Sequence, residues 1–205
     1  MCIRDSFIVA SFDIECNSST GKFPDADVTN DACFQIAISL CKFGSDEPYD
    51  KTCLCYKKTD PKIEGSNVIS FETEKELLLA FKRYTNENDI DILFANEDEI
   101  KAQCQTDSFD NAVDYAKSLN MIVAITRSEN GSVVVNKNEV IEINPVQVDK
   151  VIDTTGAGDL YAAGFLFGIA RNKDLATCGH YASIAAAEII SHYGARPLVK
   201  LSNLI

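Results

Sequence analysis

The chain has 205 residues, 46% of them apolar, and a formal net charge of −12. That length and apolar content suit one sizeable domain or two small ones and exclude a wholly disordered chain. The acidic balance argues against wholesale binding to phosphate backbones, although a metal-dependent nuclease built from carboxylates stays compatible with it.

No window approaches the ~18 consecutive apolar residues of a membrane span. The opening, Met1-Cys2-Ile3-Arg4-Asp5-Ser6, has no signal-peptide apolar region behind it. A soluble, cytoplasmic protein with no membrane partner is expected. Eight cysteines without a Cys-x-x-Cys pair, and only two histidines, argue against zinc and for reduced, mostly buried thiols. Composition shifts along the chain. Six of the eight cysteines precede residue 56, whereas seven of the ten glycines follow residue 130. No Pro/Gly/Ser linker and no internal repeat separates the two halves.

The first half reads mainly as strands. Phe7–Phe12 is a short apolar run, and Asn17–Asp31, rich in Ser, Asn, Asp and Gly, is a loop. Phe34, Ile36, Ile38 and Leu40 alternate with Cys33, Gln35, Ala37, Ser39 and Cys41, the period-2 pattern of a half-buried strand. Lys51–Tyr56 and Asn67–Ser70 are further short strands. Thr73 with Glu76 is a capping box, opening a helix with Leu77, Leu78 and Phe81 on one face.

The second half alternates strand and helix, which predicts a layered α/β fold. Asp91–Phe94 is a strand, Asn96–Cys104 and Ser108–Leu119 are helices, and Met121–Ile125 is another strand. Ala112, Val113, Ala116 and Leu119 share one face of the second helix. Ser132–Val135 and Val140–Ile143 form a hairpin around Asn136-Lys137-Asn138, and helices follow at Gly158–Arg171 and Asp174–His192.

The strongest chemical signal is Asp153-Thr154-Thr155-Gly156-Ala157-Gly158-Asp159. Glycines remove side chains where a backbone must approach a phosphate, and the run enters an apolar helix whose free N–H groups make a positive end. Asp159, in the first helical turn, is placed to take a proton from an attacking alcohol. On the residues alone, Asn96 reads better as a plain N-cap and Glu99 as a solvated carboxylate. On the same footing, Ala182–Ala187 reads more readily as close helix packing than as an adenine platform, and His192 as a satisfied polar residue.

With Tyr161-Ala162-Ala163-Gly164 added, the Asp153–Asp159 run resembles the C-terminal signature of the ribokinase-like (pfkB) family of sugar and nucleoside kinases. The likeness extends through most of residues 91–205. It implies the C-terminal half of a ribokinase-like layered α/β fold. It also implies transfer of the γ-phosphoryl group of ATP to a primary hydroxyl with Mg²⁺, Asp159 being the base and Gly156, Ala157 and Gly158 the anion hole. Phe94-Ala95-Asn96-Glu97-Asp98-Glu99 resembles the family's Asn-x-x-Glu motif, which implies that Asn96 and Glu99 help place magnesium and phosphate. Thr126 to Gly131 resembles its nucleotide-side Thr-x-Gly-x-x-Gly turn, with Ser128 where the first glycine is usual. Ala182 to Ala187 and His192-Tyr193-Gly194-Ala195-Arg196-Pro197 resemble the adenine-side helix, with Ala182 and Ala186 as contacts, and the closing loop. In relatives the region of Asp153, Thr155, Gly194 and Ala195 surrounds a monovalent cation such as K⁺. The closing pattern leans toward adenosine-kinase-like members. The implied partners are ATP and a small sugar or nucleoside.

Near the N-terminus, Asp13-Ile14-Glu15 places two carboxylates on one side of a strand, able to share a divalent metal. Ala10–Cys16 with Gly21-Lys22-Phe23-Pro24-Asp25-Ala26 resembles the first exonuclease motif of family B DNA polymerases, a ribonuclease H-like α/β module. The Gly-Tyr-Asn and Tyr-x-x-x-Asp segments that family should show next are absent. Nucleic acid is therefore a partner only if that half were complete. The sequence thus predicts a chimera: residues 1–6 an artefactual leader, 7–91 a 3′–5′ exonuclease fragment, and 92–205 the kinase C-terminal region. The kinase half lacks the family's N-terminal strands, lid and sugar-gripping Gly-Gly segment.

Overall fold

A computed structural model describes residues 8–20, 28, 30–42, 45, 47–59, 64–88 and 90–204, without the side chains of Asp13, Asn86 and Ala102. The leader at 1–6 and the Gly21–Ala26 segment of the exonuclease motif lie outside the described residues. The chain divides into two compact units, Met1–Asp91 and Ile92–Ile205.

The first unit is a four-stranded sheet, β1 (Ile8–Asn17), β2 (Ala32–Lys42), β3 (Asp50–Tyr56) and β4 (Asn67–Phe71), in that spatial order, with helix α1 (Glu74–Glu87). β1/β2 and β2/β3 are antiparallel and β3/β4 is parallel. The capping box forms as expected: the Thr73 hydroxyl accepts from the Glu76 N–H at 3.2 Å, and the Glu76 carboxylate accepts from the Thr73 N–H at 3.0 Å. Ile36, Ile38, Leu40 and Leu54 pack on Leu77 in one core.

Two expected core positions turn outward. Phe34 is 40% exposed and Cys33 is buried in its stead. Glu15 faces Gln35 but Cys16 faces Cys33, so Phe34 is the extra residue of a β-bulge, and a one-residue slip exchanges the faces. Leu78 is 44% exposed. The face of α1 that meets the sheet runs through Leu77, Ala80, Phe81 and Tyr84, and Leu78 sits one residue, about 100°, around the helix.

The second unit has the layered form that alternating elements predict. Its sheet runs β5 (Ile92–Asn96), β6 (Ile122–Thr126), β7 (Ser132–Asn136), β8 (Glu139–Ile143); β5/β6 is parallel and the other pairs are antiparallel. Helices α2 (Glu97–Gln103) and α3 (Phe109–Ser118) cover one face, where Ile100, Ala112 and Ala116 meet Val123, Ile125, Val133 and Val135. Helices α4 (Ala157–Ala170) and α5 (Leu175–Ile190) cover the other, where Tyr161, Phe165, Cys178 and Ala182 meet Ala124, Val134 and Ile143. Because both faces are covered, β6 and β7 read as continuous apolar runs rather than alternating ones.

Helices α4 and α5 approach closely because α4 presents glycines to its neighbour. A Cβ on Gly164 would lie 2.7 Å from the Tyr181 carbonyl and 2.8 Å from the Ala182 Cα. One on Gly168 would lie 2.7 Å from the Cys178 Sγ. This contact fixes the axis of α4 and therefore where its N-terminus points.

Candidate active site

The loop 153–156 delivers α4 through a left-handed turn. Gly156, the N-cap, has φ 80°, a conformation that L side chains resist. A Cβ there would also stand 3.0 Å from the Ala195 Cβ, so the conformation calls for glycine and the space beside it is tight. The Ala157 N–H donates to the Thr154 carbonyl at 3.1 Å, and the Leu160 N–H donates to the Gly156 carbonyl at 2.9 Å. Among the described residues, the N–H groups of Gly156, Gly158 and Asp159 donate to no protein backbone. Three donors at a helix N-terminus thus remain for an anion. Ala157, expected among them, is engaged within the turn.

Asp159 stands in the first turn of α4, exposed, and none of the described residues donates a hydrogen bond to its carboxylate. Asp153 does the opposite work. Its Oδ1 accepts from the Thr155 N–H at 2.9 Å and its Oδ2 from the Gly194 N–H at 3.1 Å. Those bonds, led by the Thr155 N–H, hold the Asp153 carboxyl below the ordinary aspartate range. Asp153, Thr155, Gly194 and Ala195 are therefore brought to one place. Both Asp153 oxygens are already hydrogen-bonded, although each has a further lone pair to offer a cation.

The ends of β5 and β6 lie side by side, with Asn96 and Thr126 as register partners. Asn96 Oδ1 accepts from the Glu99 N–H at 2.8 Å, and Glu99 Oε2 accepts from the Asn96 N–H at 2.7 Å. This reciprocal cap leaves the second Glu99 oxygen without a hydrogen bond among the described residues. Glu97 rather than Glu99 takes the ion pairs: it accepts from Lys101 and, at 2.7 Å, from Arg127 Nε. These two cations hold its carboxyl below the usual range. Arg127 also stacks 3.7 Å over the Phe109 ring.

The Thr126–Gly131 turn is closed by the Arg127 N–H donating to the Gly131 carbonyl at 2.8 Å. Gly131 has φ 78°, and a Cβ on it would fall 2.1 Å from the Ile143 carbonyl oxygen. Ser128 has φ 49°, a left-handed conformation that favours glycine. The turn is tied to α4, since Thr126 faces Ser132 across β6/β7 and the buried Tyr161 hydroxyl donates to Ser132 Oγ at 2.8 Å.

Ala182 is fully buried against Gly164 and serves the helix contact; Ala186 is half-buried on the same helix. His192 is a satisfied polar residue: Nε2 lies 3.2 Å from Glu188 Oε1 and Nδ1 lies 3.2 Å from the Tyr193 carbonyl. Glu188 escaped the sequence reading. Its Oε1 also accepts from the Leu198 N–H at 2.9 Å. The one signal was a carboxylate inside the apolar run Ile184–Ile190. In the first unit, Glu15 is exposed on β1 and the Asp13 side chain lies outside the described residues. Among the described residues no cluster of three metal-ligating side chains forms, and no helix is long and apolar enough to cross a membrane.

Comparison with known proteins finds two likenesses. The model of the family described as pfkB family carbohydrate kinase matches residues 34–201. A nucleoside kinase of Methanocaldococcus jannaschii is 33% identical over 144 residues, covering 67% of this chain and 45% of the relative. The structure of adenosine kinase from Sinorhizobium meliloti superposes with a TM-score of 0.58 at 35% identity, covering 68% of this chain and 44% of that one. The architecture is a ribokinase-like α/β fold, and the chain spans about half the length of the curated kinases it matches. The DNA polymerase delta catalytic subunit of Glycine max is 40% identical over 87 residues, covering 42% of this chain and 8% of the relative. The kinase and polymerase shares together exceed the whole chain, so the two likenesses overlap in part.

Proposed function

The chain belongs to the pfkB family of carbohydrate kinases, and from that premise we propose that residues 92–205 are the phosphoryl-transfer end of an ATP-dependent sugar or nucleoside kinase of the cytoplasm. The observation that carries this reading is the N-terminus of α4: Gly156 in a left-handed turn and, among the described residues, N–H groups at 156, 158 and 159 with no backbone acceptor and an exposed Asp159 carboxylate with no hydrogen bond. Such donors hold charge developing on a transferred phosphoryl group, and a carboxylate beside them takes the proton of the attacking hydroxyl.

Asn96, Glu99, Thr126 and Gly131 lie on the adjoining strand ends and turn, and form the nucleotide side. The free Glu99 oxygen suits Mg²⁺, which would neutralise charge between the phosphates. Ala186 is the adenine contact on α5, with Ala182 holding that helix against α4. Asp153, Thr155, Gly194 and Ala195 form a separate oxygen-rich turn suited to a monovalent cation such as K⁺. Nucleoside substrates are favoured by the relatives named nucleoside kinase and adenosine kinase. Because the chain spans about half of such a kinase, the reading predicts nucleotide binding with little or no turnover. Binding of Mg·ATP is tested by thermal shift; a wild-type midpoint that ATP leaves unmoved would overturn the reading. Adenosine phosphorylation that is lost in Asp159→Asn would confirm the base and overturn the expectation of low turnover.

A second reading rests on the polymerase likeness: residues 7–91 are a fragment of a 3′–5′ exonuclease, joined to the kinase near Asn88–Leu93 by sequence assembly. The division of the fold at Asp91/Ile92 is compatible with this, whereas a kinase match opening at residue 34 bears the other way. Mg²⁺-dependent hydrolysis of single-stranded DNA, abolished in Asp13→Ala, tests the exonuclease. One uninterrupted genomic segment amplified across codons 80–100 would dispose of the assembled join.

A further inference from the structure

The strand register of the first unit sets two of its cysteines directly opposite each other. From Ile8 to Glu15 the β1/β2 ladder pairs residues one for one; past the bulge at Phe34 the next pair is Cys16 with Cys33. Phe12 and Ile14 pair with the core residues Ile38 and Ile36, although they are themselves partly exposed, so Cys16, two residues further along β1, shares their face. The bulge turns Cys33 onto that same face. Directly opposed residues of an antiparallel pair have Cα atoms about 4.5–5.5 Å apart, inside the roughly 4.4–6.8 Å range of disulfides. Both thiols are free, with Cys16 exposed and Cys33 buried. Burial, and then the neighbouring Cys16, push the Cys33 thiol up to about 11.

We propose that Cys16 and Cys33 are a redox pair that closes to a cross-strand disulfide, with a small disulfide such as oxidised glutathione as the oxidant. The accessible Cys16 thiolate attacks one glutathione sulfur; the S–S bond breaks, one glutathione leaves as thiolate, and a mixed disulfide remains on Cys16. Cys33 then loses its proton and attacks the Cys16 sulfur, expelling the second glutathione. The protein gives up two electrons and two protons, and oxidised glutathione becomes two reduced molecules. Little Cys33 is thiolate at neutral pH, so closure is the slow step, while the fixed register supplies the local concentration that drives it.

The rival pair is Cys53 and Cys55, whose sulfurs lie 3.5 Å apart. Both are buried, out of reach of a soluble oxidant. Two positions along an extended strand place their Cα atoms about 6.6 Å apart, near the limit of disulfide geometry. The consequence of closure at 16–33 is a covalent tie between β2 and β1, the sheet-edge strand that carries Glu15.

The test is to incubate the native, reduced chain with oxidised glutathione, measure the intact mass, and map tryptic peptides without reduction. Cleavage after Lys22 separates the two cysteines. The expected result is a loss of two hydrogens, a Cys16 peptide linked to a Cys33 peptide, and reversal by dithiothreitol. Cys33→Ser should stop at one glutathione on Cys16, and Cys53→Ser should leave the 16–33 link intact, which serves if the first variant misfolds. A glutathione adduct that persists on Cys16 of the unsubstituted chain, or a dominant link between any other two cysteines, overturns the proposal.

Discussion

Gly158 separates a merely structural helix start from a phosphate site. It is the second residue of α4, outside the left-handed region, and a Cβ on it would meet nothing within 4 Å. The fold of this unit therefore has no need of glycine there. Gly158→Ala should stabilise the unliganded chain by about 0.4–1 kcal/mol, chiefly by restricting the unfolded state, and raise its melting midpoint by a few degrees. If a phosphate docks on the 158 and 159 N–H groups, the same methyl blocks its approach. At a nucleotide concentration about 100-fold over Kd, the wild type gains ~2.7 kcal/mol from binding; a tenfold loss of affinity reduces that to ~1.4 kcal/mol. The two effects have opposite signs in one experiment, a thermal melt with and without Mg·ATP. A variant that melts higher and keeps the full wild-type shift would refute the phosphate assignment.

Gly131→Ala should destabilise by ~3 kcal/mol or more in urea denaturation, because its Cβ meets a backbone carbonyl and its φ is left-handed. Ser128→Gly, at φ 49°, should stabilise by about 1 kcal/mol in the same assay. Tyr161→Phe leaves Ser132 Oγ buried without its donor and should cost about 1–2 kcal/mol, read from the denaturation midpoint. Asp153 has its carboxyl held below an aspartate's ordinary 3.8, so its stabilising effect is complete above that value and fades as pH falls through the lower, folded value. Asp153→Asn should accordingly flatten the acid limb of the stability–pH curve; an unchanged limb would mean that the Thr155 and Gly194 bonds do not persist in solution.

Local signals were legible wherever the deciding atoms are near in sequence. Thr73 and Glu76 cap α1 as read, Ser108 caps α3, and Asp174 caps α5 by accepting from the Thr177 N–H at 2.8 Å. The glycine–aspartate run opens α4 as expected, one residue earlier than read. Readings failed where a distant partner decides. Phe34 belongs to the apolar alternation of β2, but the count of residues on β1 opposite it puts Cys33 inside instead. Asn96 reads as a helix residue, yet it ends β5 because pairing with Thr126 keeps it extended while its side chain caps α2. At Ala157 the deciding contact is local: its N–H donates to the Thr154 carbonyl three residues back, which leaves the N–H groups of 156, 158 and 159 as the donors with no backbone acceptor among the described residues.

Glu188 shows why a signature alone underdetermines a site. The Asp153–Asp159 loop is held from outside by residues 192–198: the Gly194 N–H bonds Asp153, and Ala195 fills the space a side chain at 156 would need. That second loop is in turn anchored on one carboxylate, because Glu188 Oε1 meets both the His192 ring and the Leu198 N–H. Its other oxygen is buried with no hydrogen-bond partner among the described residues, a cost of order 1–3 kcal/mol or more for a charged group. A leucine would fit the apolar face of α5 better, so the carboxylate is accounted for by the loop it fixes rather than by the helix it belongs to. The geometry of the anion turn therefore depends on a residue near the C-terminal end of α5, in a stretch where composition alone suggests only core.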